Sequence, residues 1–128
     1  MKQVVDSSGW LEFFADGPNA TAFAEPLANP ADLIVPVITI YEVFKVVMRQ
    51  RGENAALQAI ALMRQGTVVN LDESVALSAA KLSLTYKTPM ADSIILATAQ
   101  QHQAQLWTQD DDFENIPGVR YFLKTITS

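Results

Sequence analysis

The sequence predicts a three-layer α/β domain with a central, mostly parallel sheet of four to five strands. Short β-branched runs alternate with longer segments of helical periodicity along the 128 residues, and this alternation is typical of right-handed βαβ crossovers. The continuous apolar run at residues 33–38 indicates a strand buried on both faces. Length and the absence of repeats or linker-like tracts favour a single domain over residues 1–128.

The first half of the chain alternates strand and helix signals. In order, the predicted elements are a strand at 4–5, a helix from Ser7 or Ser8 to Gly17, a short helix at 21–25, a loop at 26–30, a strand at 33–38 and a helix at 39–51. Pro36 marks the end of the second strand because proline donates no ladder hydrogen bond. Thr39 and Glu42 match a capping box, and Gly52 ends the helix that they open.

The second half repeats this rhythm. Its predicted elements are a helix at 53–65, a strand at 67–71, a helix from Asp72 to about 86, a helix at 88–103, a strand at 106–108, a loop at 110–117 and a strand at 119–123. Asp72 is a good N-cap residue. Pro89 suits the first turn of the following helix.

Composition excludes several kinds of site. The chain has no cysteine and one histidine, His102, so a disulfide framework, a thiolate zinc site and a multi-histidine metal site are all excluded. Nine basic residues against 14 acidic ones give a net charge of −5, which argues against a generic nucleic-acid coat. Assigning four acids to a bound cation leaves ten acidic residues against nine basic ones.

The sequence also predicts a cytoplasmic protein with no membrane association. The longest apolar run, residues 33–41, contains Pro36 and is shorter than the roughly 18 residues of a membrane span. Only Val4 and Val5 separate Lys2 from Asp6, so the apolar core of a secretory signal is missing.

Acidic side chains follow three of the predicted strands. Asp6 follows the first strand, Glu42 lies in the first turn after the second, and Asp110 follows the fourth. Ligands of open parallel sheets bind beyond the carboxyl ends of the strands, so we expect these acids at one edge. Asp92, in the opening turn of the helix before the fourth strand, reaches the same edge if that helix packs antiparallel to the sheet.

Four carboxylates at one edge point to a bound cation. They would repel one another without it, and ligation by oxygen alone selects Mg²⁺ or Mn²⁺ over zinc. Such an ion activates water for attack on a phosphodiester. The sequence therefore predicts catalytic metal ligands at Asp6, Glu42, Asp92 and Asp110, with Asp112 as an alternative to Asp110.

Each acid also has a purely structural interpretation. Glu42 fits the capping box with Thr39, Asp92 can complement a helix dipole, and Asp6 can cap a helix. The acidic run at 110–112 can be a solvated loop. Structural roles of this kind can explain each acid alone, but they do not explain why all four acids are expected at the same edge of the sheet.

Basic and polar side chains accompany the acids. Lys45 and Arg49 are three and seven residues beyond Glu42, so they share its helix face. With Lys87 they are predicted to hold the phosphate backbone of a substrate, although Glu42 and Lys45 can equally form an ordinary surface pair. Ser7 and Thr108 flank two acids and are predicted to hydrogen-bond a carboxylate or a metal-bound water.

Four segments resemble the acidic motifs of PIN-domain ribonucleases. They read VVDSS at 4–8, TIYE at 39–42, ADSIILATA at 91–99 and WTQDDDF at 107–113. The length and the helix-rich middle look like the VapC-type toxins of toxin–antitoxin pairs. The resemblance implies Mg²⁺- or Mn²⁺-dependent endonucleolytic cleavage of RNA, with tRNA a frequent target. It also implies a homodimer and a VapB-like antitoxin whose C-terminal segment covers the active site.

Two other functions compete with this interpretation. A catalytically silent PIN-fold binding module keeps the fold without the reaction, since a fold does not guarantee a site. A phosphoryl-accepting signalling domain has a similar length and an acidic sheet edge. It needs an aspartate acceptor after the third strand, where Asp72 instead resembles a helix cap, and a lysine near the last strands, where acids follow Thr108.

Overall fold

A computed structural model describes residues 1–125, and its central feature is a five-stranded parallel sheet. The strands are β1 (Gln3–Val5), β2 (Leu33–Pro36), β3 (Thr67–Val69), β4 (Gln105–Thr108) and β5 (Val119–Tyr121). Their order is β3-β2-β1-β4-β5, and every neighbouring pair is parallel. This confirms the predicted α/β class. The last three residues of the predicted 1–128 domain lie outside the described residues.

Six α-helices connect the strands. They are α1 (Ser7–Phe14), α2 (Ala20–Leu27), α3 (Val37–Arg51), α4 (Glu53–Met63), α5 (Glu73–Tyr86) and α6 (Met90–Gln101). Short 3-10 helices span Pro30–Asp32 and Asp111–Phe113. Within residues 1–125, none of the helices has the length and apolar character that crossing a membrane requires.

The helices form one layer on each face of the sheet. Successive strand residues point to opposite faces, so Val5 packs with Trp10 and Phe23 of α1 and α2, whereas Val4 packs with Ile95 of α6 on the other face. Helices α3 and α4 complete the first layer, and α5 packs on α6 in the second. The middle strands are buried on both sides as a result.

The strand order reverses between β1 and β4, at the centre of the sheet. Ligands of open α/β sheets bind in the crevice beyond the carboxyl ends of the strands at such a reversal. Asp6 follows β1 there, and its backbone N–H donates to the carbonyl of Trp107 at 3.1 Å. The topology therefore places Asp6 and the residues after β4 at the expected site of function. It also differs from the order 2-1-3-4-5 of phosphoryl-accepting flavodoxin-like domains.

Two predicted helix starts are wrong. Asp6, rather than Ser7 or Ser8, caps α1, and its side chain accepts from the backbone N–H of Gly9. Helix α3 begins at Val37, so Thr39 is inside the helix and donates its hydroxyl back to the carbonyl of Pro36 at 2.7 Å. This local bond replaces the predicted capping box, and Glu42 lies in the second turn.

The remaining differences concern element lengths. Helix α2 continues through Pro26 to Leu27, where a loop was predicted; the proline is buried and interrupts only the last turn. The second strand ends at Pro36, as the proline predicts, and residues 37 and 38 of the predicted strand belong to α3. Strands β3 and β5 end at Val69 and Tyr121, short of the predicted ends.

Candidate functional site

Five carboxyl groups lie close together at the carboxyl edge of the sheet. Asp92, in the first turn of α6, has four acidic neighbours that act on its charge: Asp6, Glu42, Asp110 and Asp112. Three of the five, Asp92, Asp110 and Asp112, each offer an oxygen within 4.8 Å of the others. The structure thus gathers Asp92, Asp110 and Asp112 within ligand distance, whereas Asp6 and Glu42 are outside that group of three and act on Asp92 through their charge.

Asp6 is held rigidly at the centre of this edge. It is 2% exposed; Oδ1 accepts from Ser8 Oγ at 2.7 Å and from Gly9 N at 2.9 Å, and Oδ2 accepts from Thr108 Oγ1 at 2.6 Å. Each carboxylate oxygen has two acceptor positions. Oδ2 therefore keeps one acceptor position that no hydrogen bond from residues 1–125 uses.

The other acids are tied to the scaffold by neighbouring polar groups. Ser7 Oγ donates to Glu42 Oε1 at 2.5 Å, which joins α1 to α3. Thr108 Oγ1 accepts from the backbone N–H of Asp110 at 2.9 Å while it donates to Asp6. One hydroxyl thus fixes two acids that come from opposite ends of the chain.

Burial and the negative charges of the cluster raise the pKa values of Asp6 and Asp92. Burial is the largest cause that raises the pKa of Asp6, to about 6. Burial and then the charges of Asp110, Asp6, Asp112 and Glu42 raise the pKa of Asp92 to about 8. Among residues 1–125, each group that shifts the pKa of Asp92 disfavours its charged form, and none of these groups is a basic side chain.

This donor set fits a hard divalent cation. All the ligand atoms are carboxylate oxygens, which Mg²⁺ and Mn²⁺ prefer. A cation between them would reverse the repulsion that raises the pKa of Asp92. Asp6, Glu42, Asp92, Asp110 and Asp112 are therefore the residues that would hold it.

The raised pKa values predict how the stability of the metal-free protein depends on pH. The pKa values of Asp6 and Asp92 are above the ordinary 3.8, so between about pH 4 and 8 the folded protein binds more protons than the unfolded chain. We expect the melting temperature in EDTA to fall as the pH rises through this range. Thermal unfolding at several pH values measures it, and Mn²⁺ should stabilise most at the alkaline end. A melting temperature that rises between pH 6 and 8 would contradict the prediction.

The predicted basic residues are all exposed. Lys45 and Arg49 are exposed on the outer side of α3 and line a cavity of about 560 Å³ together with Tyr41. The Nζ of Lys45 lies 5.8 Å from the centre of the Tyr41 ring. Lys87 is exposed at the C-terminal end of α5, in a left-handed conformation. Their role as phosphate contacts remains a prediction.

Sequence reasoning missed two residues of the site. It considered Ser8 only as a helix cap, but Ser8 Oγ donates to Asp6 and accepts from the backbone N–H of Gln109 at 3.2 Å. Gln109 is 6% exposed although it is polar and follows a strand. Its position between Thr108 and Asp110, both proposed site residues, is the one signal that the sequence offers.

Comparison with known proteins identifies the family. The family model described as "PIN domain" matches residues 4–119. No curated protein sequence matches the chain significantly. Three similar solved structures illustrate the fold.

The first is a toxin–antitoxin complex from Klebsiella pneumoniae, with a TM-score of 0.78 and 29% identity over 93% of this chain and 96% of that chain. The second is VapC20 of Mycobacterium tuberculosis, a toxin that cleaves the sarcin–ricin loop, with a TM-score of 0.76 and 17% identity over 91% and 95%. The third is VapBC2 of Rickettsia felis bound to promoter DNA, with a TM-score of 0.73 and 12% identity over 95% and 98%. The chain belongs to the PIN domain family, and it has the fold of the VapC toxins among these structures.

Proposed function

We propose that this protein is a Mg²⁺- or Mn²⁺-dependent endoribonuclease and the toxin of a toxin–antitoxin pair. The observation that carries the proposal is the cluster of five carboxyl groups. These groups repel one another, and none of the groups in residues 1–125 that shift the pKa of Asp92 is a basic side chain that would offset the repulsion. Such a cluster is costly unless it binds a cation. The cytoplasm is its proposed place of action.

The residues around the cluster have distinct roles in this proposal. Asp6, Glu42, Asp92, Asp110 and Asp112 hold the cation, which when bound supplies the Lewis acidity that activates water toward a phosphodiester. Ser7, Ser8 and Thr108 fix the orientation of Glu42 and Asp6 through their hydroxyl groups. Ligands that are held in this way do not reorganise during the reaction.

The basic residues are proposed to contact the RNA backbone outside the carboxylate cluster. Lys45 and Arg49 are exposed on α3, the helix that carries Glu42, and Lys87 is exposed just before α6, which carries Asp92. Positive charges on the elements that carry the metal ligands suit phosphates that flank the cleaved bond.

Two protein partners complete the proposal. The similar structures from Klebsiella pneumoniae and Rickettsia felis are toxin–antitoxin complexes, and we propose a VapB-like antitoxin for this chain. We also propose a homodimer, which the resemblance to VapC-type toxins implies.

The proposal predicts RNA cleavage that depends on a divalent cation. Purified protein, free of any antitoxin, is incubated with total RNA in Mn²⁺, in Mg²⁺ and in EDTA. We expect discrete fragments in either metal and intact RNA in EDTA, because the carboxylates have no cation to bind in the chelator. Gel electrophoresis and sequencing of fragment ends measure the result.

Two outcomes would contradict the proposal. Fragments that persist in EDTA would show that the carboxylate cluster is not used as a metal site. Intact RNA in both metals, with metal binding seen by calorimetry, would favour the catalytically silent binding module.

A further inference from the structure

The turn between α5 and α6 is tied to both helices by hydroxyl groups. Ser83 Oγ, on α5, donates to the carbonyl of Thr88 at 3.0 Å. Ser93 Oγ, on α6, lies 3.2 Å from the same carbonyl and 2.9 Å from the carbonyl of Pro89. Thr88 and Ser93 are 4% and 1% exposed, and their hydroxyl oxygens are 2.6 Å apart. These bonds hold the first turn of α6, which contains Asp92.

The hydroxyl groups of Thr88 and Ser93 form a chain with one direction. A carbonyl oxygen only accepts, so the single proton of the Ser93 hydroxyl group is donated to the carbonyl of Pro89, its nearer carbonyl acceptor. Thr88 Oγ1 is therefore the donor in its bond to Ser93 Oγ. The chain closes residues 88–93 into a buried hydrogen-bonded unit.

The start of α6 does not use Asp92 as a capping-box acid. Pro89 is the N-cap residue of α6 and makes no side-chain capping hydrogen bond. An acid three residues after an N-cap ordinarily completes a capping box by accepting from the backbone N–H of the N-cap residue. Proline has no such N–H, so Asp92 cannot form this bond. The hydroxyl chain stabilises the helix start, and capping does not compete with a cation for the Asp92 carboxyl group.

Repulsion from neighbouring acids acts on the same turn. Asp92, Asp110 and Asp112 each offer an oxygen within 4.8 Å of the others, and without a cation their like charges push the start of α6 away from the chain after β4. The hydroxyl chain resists this displacement, because buried hydrogen bonds are strong where water is excluded. Ligands that are already in place do not have to be ordered when the cation binds.

We infer that Thr88 and Ser93 are positioning residues for Asp92 and increase the affinity of the carboxylate cluster for a divalent cation. The inference rests on the proposed metal site. Neither residue is a ligand in that site, and both act through the backbone of residues 88–93, which carries Asp92. Groups that hold a ligand change metal affinity although they do not touch the metal.

The test measures Mn²⁺ binding to the wild type and to Thr88→Val by titration calorimetry. Valine replaces the hydroxyl group of Thr88 by a methyl group of similar size. We expect Thr88→Val to weaken Mn²⁺ binding by about 3- to 10-fold, the size of one net hydrogen bond. Ser93→Ala removes both bonds of the chain and should weaken binding further. Thr88→Ser keeps the hydroxyl group and should bind Mn²⁺ as the wild type does.

Thr98→Val is the matched control. Thr98 lies on the same helix, is 3% exposed and donates its hydroxyl group to the carbonyl of Ile94 at 2.8 Å, but it is six residues beyond Asp92. Melting temperatures in EDTA show that each variant is folded. We expect Thr98→Val to bind Mn²⁺ as the wild type does. Equal Mn²⁺ affinities of Thr88→Val and Thr98→Val would overturn the inference.

A double-mutant cycle tests whether Thr88 acts through Asp92. The Asp92→Asn variant lacks the carboxyl group that is positioned, so adding Thr88→Val to it should leave the remaining Mn²⁺ affinity unchanged. An equal loss of affinity in the two backgrounds would overturn the inference. Because every measurement is of Mn²⁺ binding, a wild type that binds Mn²⁺ but leaves RNA intact would contradict the proposed nuclease activity alone.

Discussion

Replacement of Asp92 by asparagine is expected to abolish metal-dependent RNA cleavage while the fold remains intact. Asp92 lies among four other carboxyl groups, and Asp92, Asp110 and Asp112 each offer an oxygen within 4.8 Å of the others. The loss of one anionic ligand should lower the cleavage rate by about 100-fold or more, as for other groups that stabilise developing charge. Single-turnover kinetics in Mn²⁺ measure the effect.

The same variant should be more stable than the wild type in the absence of metal. Asparagine removes the repulsion and the burial of charge that raise the pKa of Asp92, so we expect a higher melting temperature in EDTA at pH 8. Asp72→Asn is the matched control, because Asp72 caps α5 by accepting from Val75 N and asparagine caps equally well. An Asp92→Asn variant that cleaves at the wild-type rate would show that the site assignment is wrong.

Replacement of Gly9 by alanine is expected to destabilise the fold. An added Cβ would lie 2.6 Å from Val5 Cγ1 and 2.8 Å from two ring carbons of Phe23, and both neighbours are fully buried. Overpacking of this kind costs about 1–3 kcal/mol, against a gain of about 1 kcal/mol from the helix propensity of alanine. Denaturant unfolding measures the net loss.

A double-mutant cycle identifies the cause. Val5→Ala removes the atom nearest to the new methyl group, so Gly9→Ala should cost less in that background than in the wild type. Equal costs in the two backgrounds would show that crowding against Val5 does not explain the loss. Because Gly9 N also donates to Asp6, the same substitution should weaken metal binding.

The sequence predicts those site residues whose place depends only on the strand or helix next to them. Asp6 after β1, Asp92 in the first turn of α6 and Asp110 after β4 are each read from one segment, and the parallel sheet explains why they meet. The sequence offers Asp110 and Asp112 as alternative ligands, but the 3-10 helix over Asp111–Phe113 brings both within 4.8 Å of Asp92.

The rest depends on contacts between distant segments. Thr108 and Asp6 are 102 residues apart, and Ser8 and Gln109 are 101 apart, so no spacing rule reveals these hydrogen bonds. The predicted capping box at Thr39 shows the opposite difficulty. Thr39 and Glu42 match the capping-box pattern, but the helix begins earlier, directly after Pro36, whose carbonyl accepts from Thr39. Glu42 accepts instead from Ser7 on another helix.

The central place of β1 determines when the site forms during protein synthesis. β1 is translated about 100 residues before β4, yet the two strands pair, and Asp6 takes its hydroxyl partner from Thr108. At about 5–20 residues per second, the ribosome needs roughly 5–20 seconds to add the intervening residues. During that interval the nascent chain carries Asp6 without Asp92, Asp110 or their supports. The proposed metal site therefore cannot form on the ribosome until residues 105–112 have been translated.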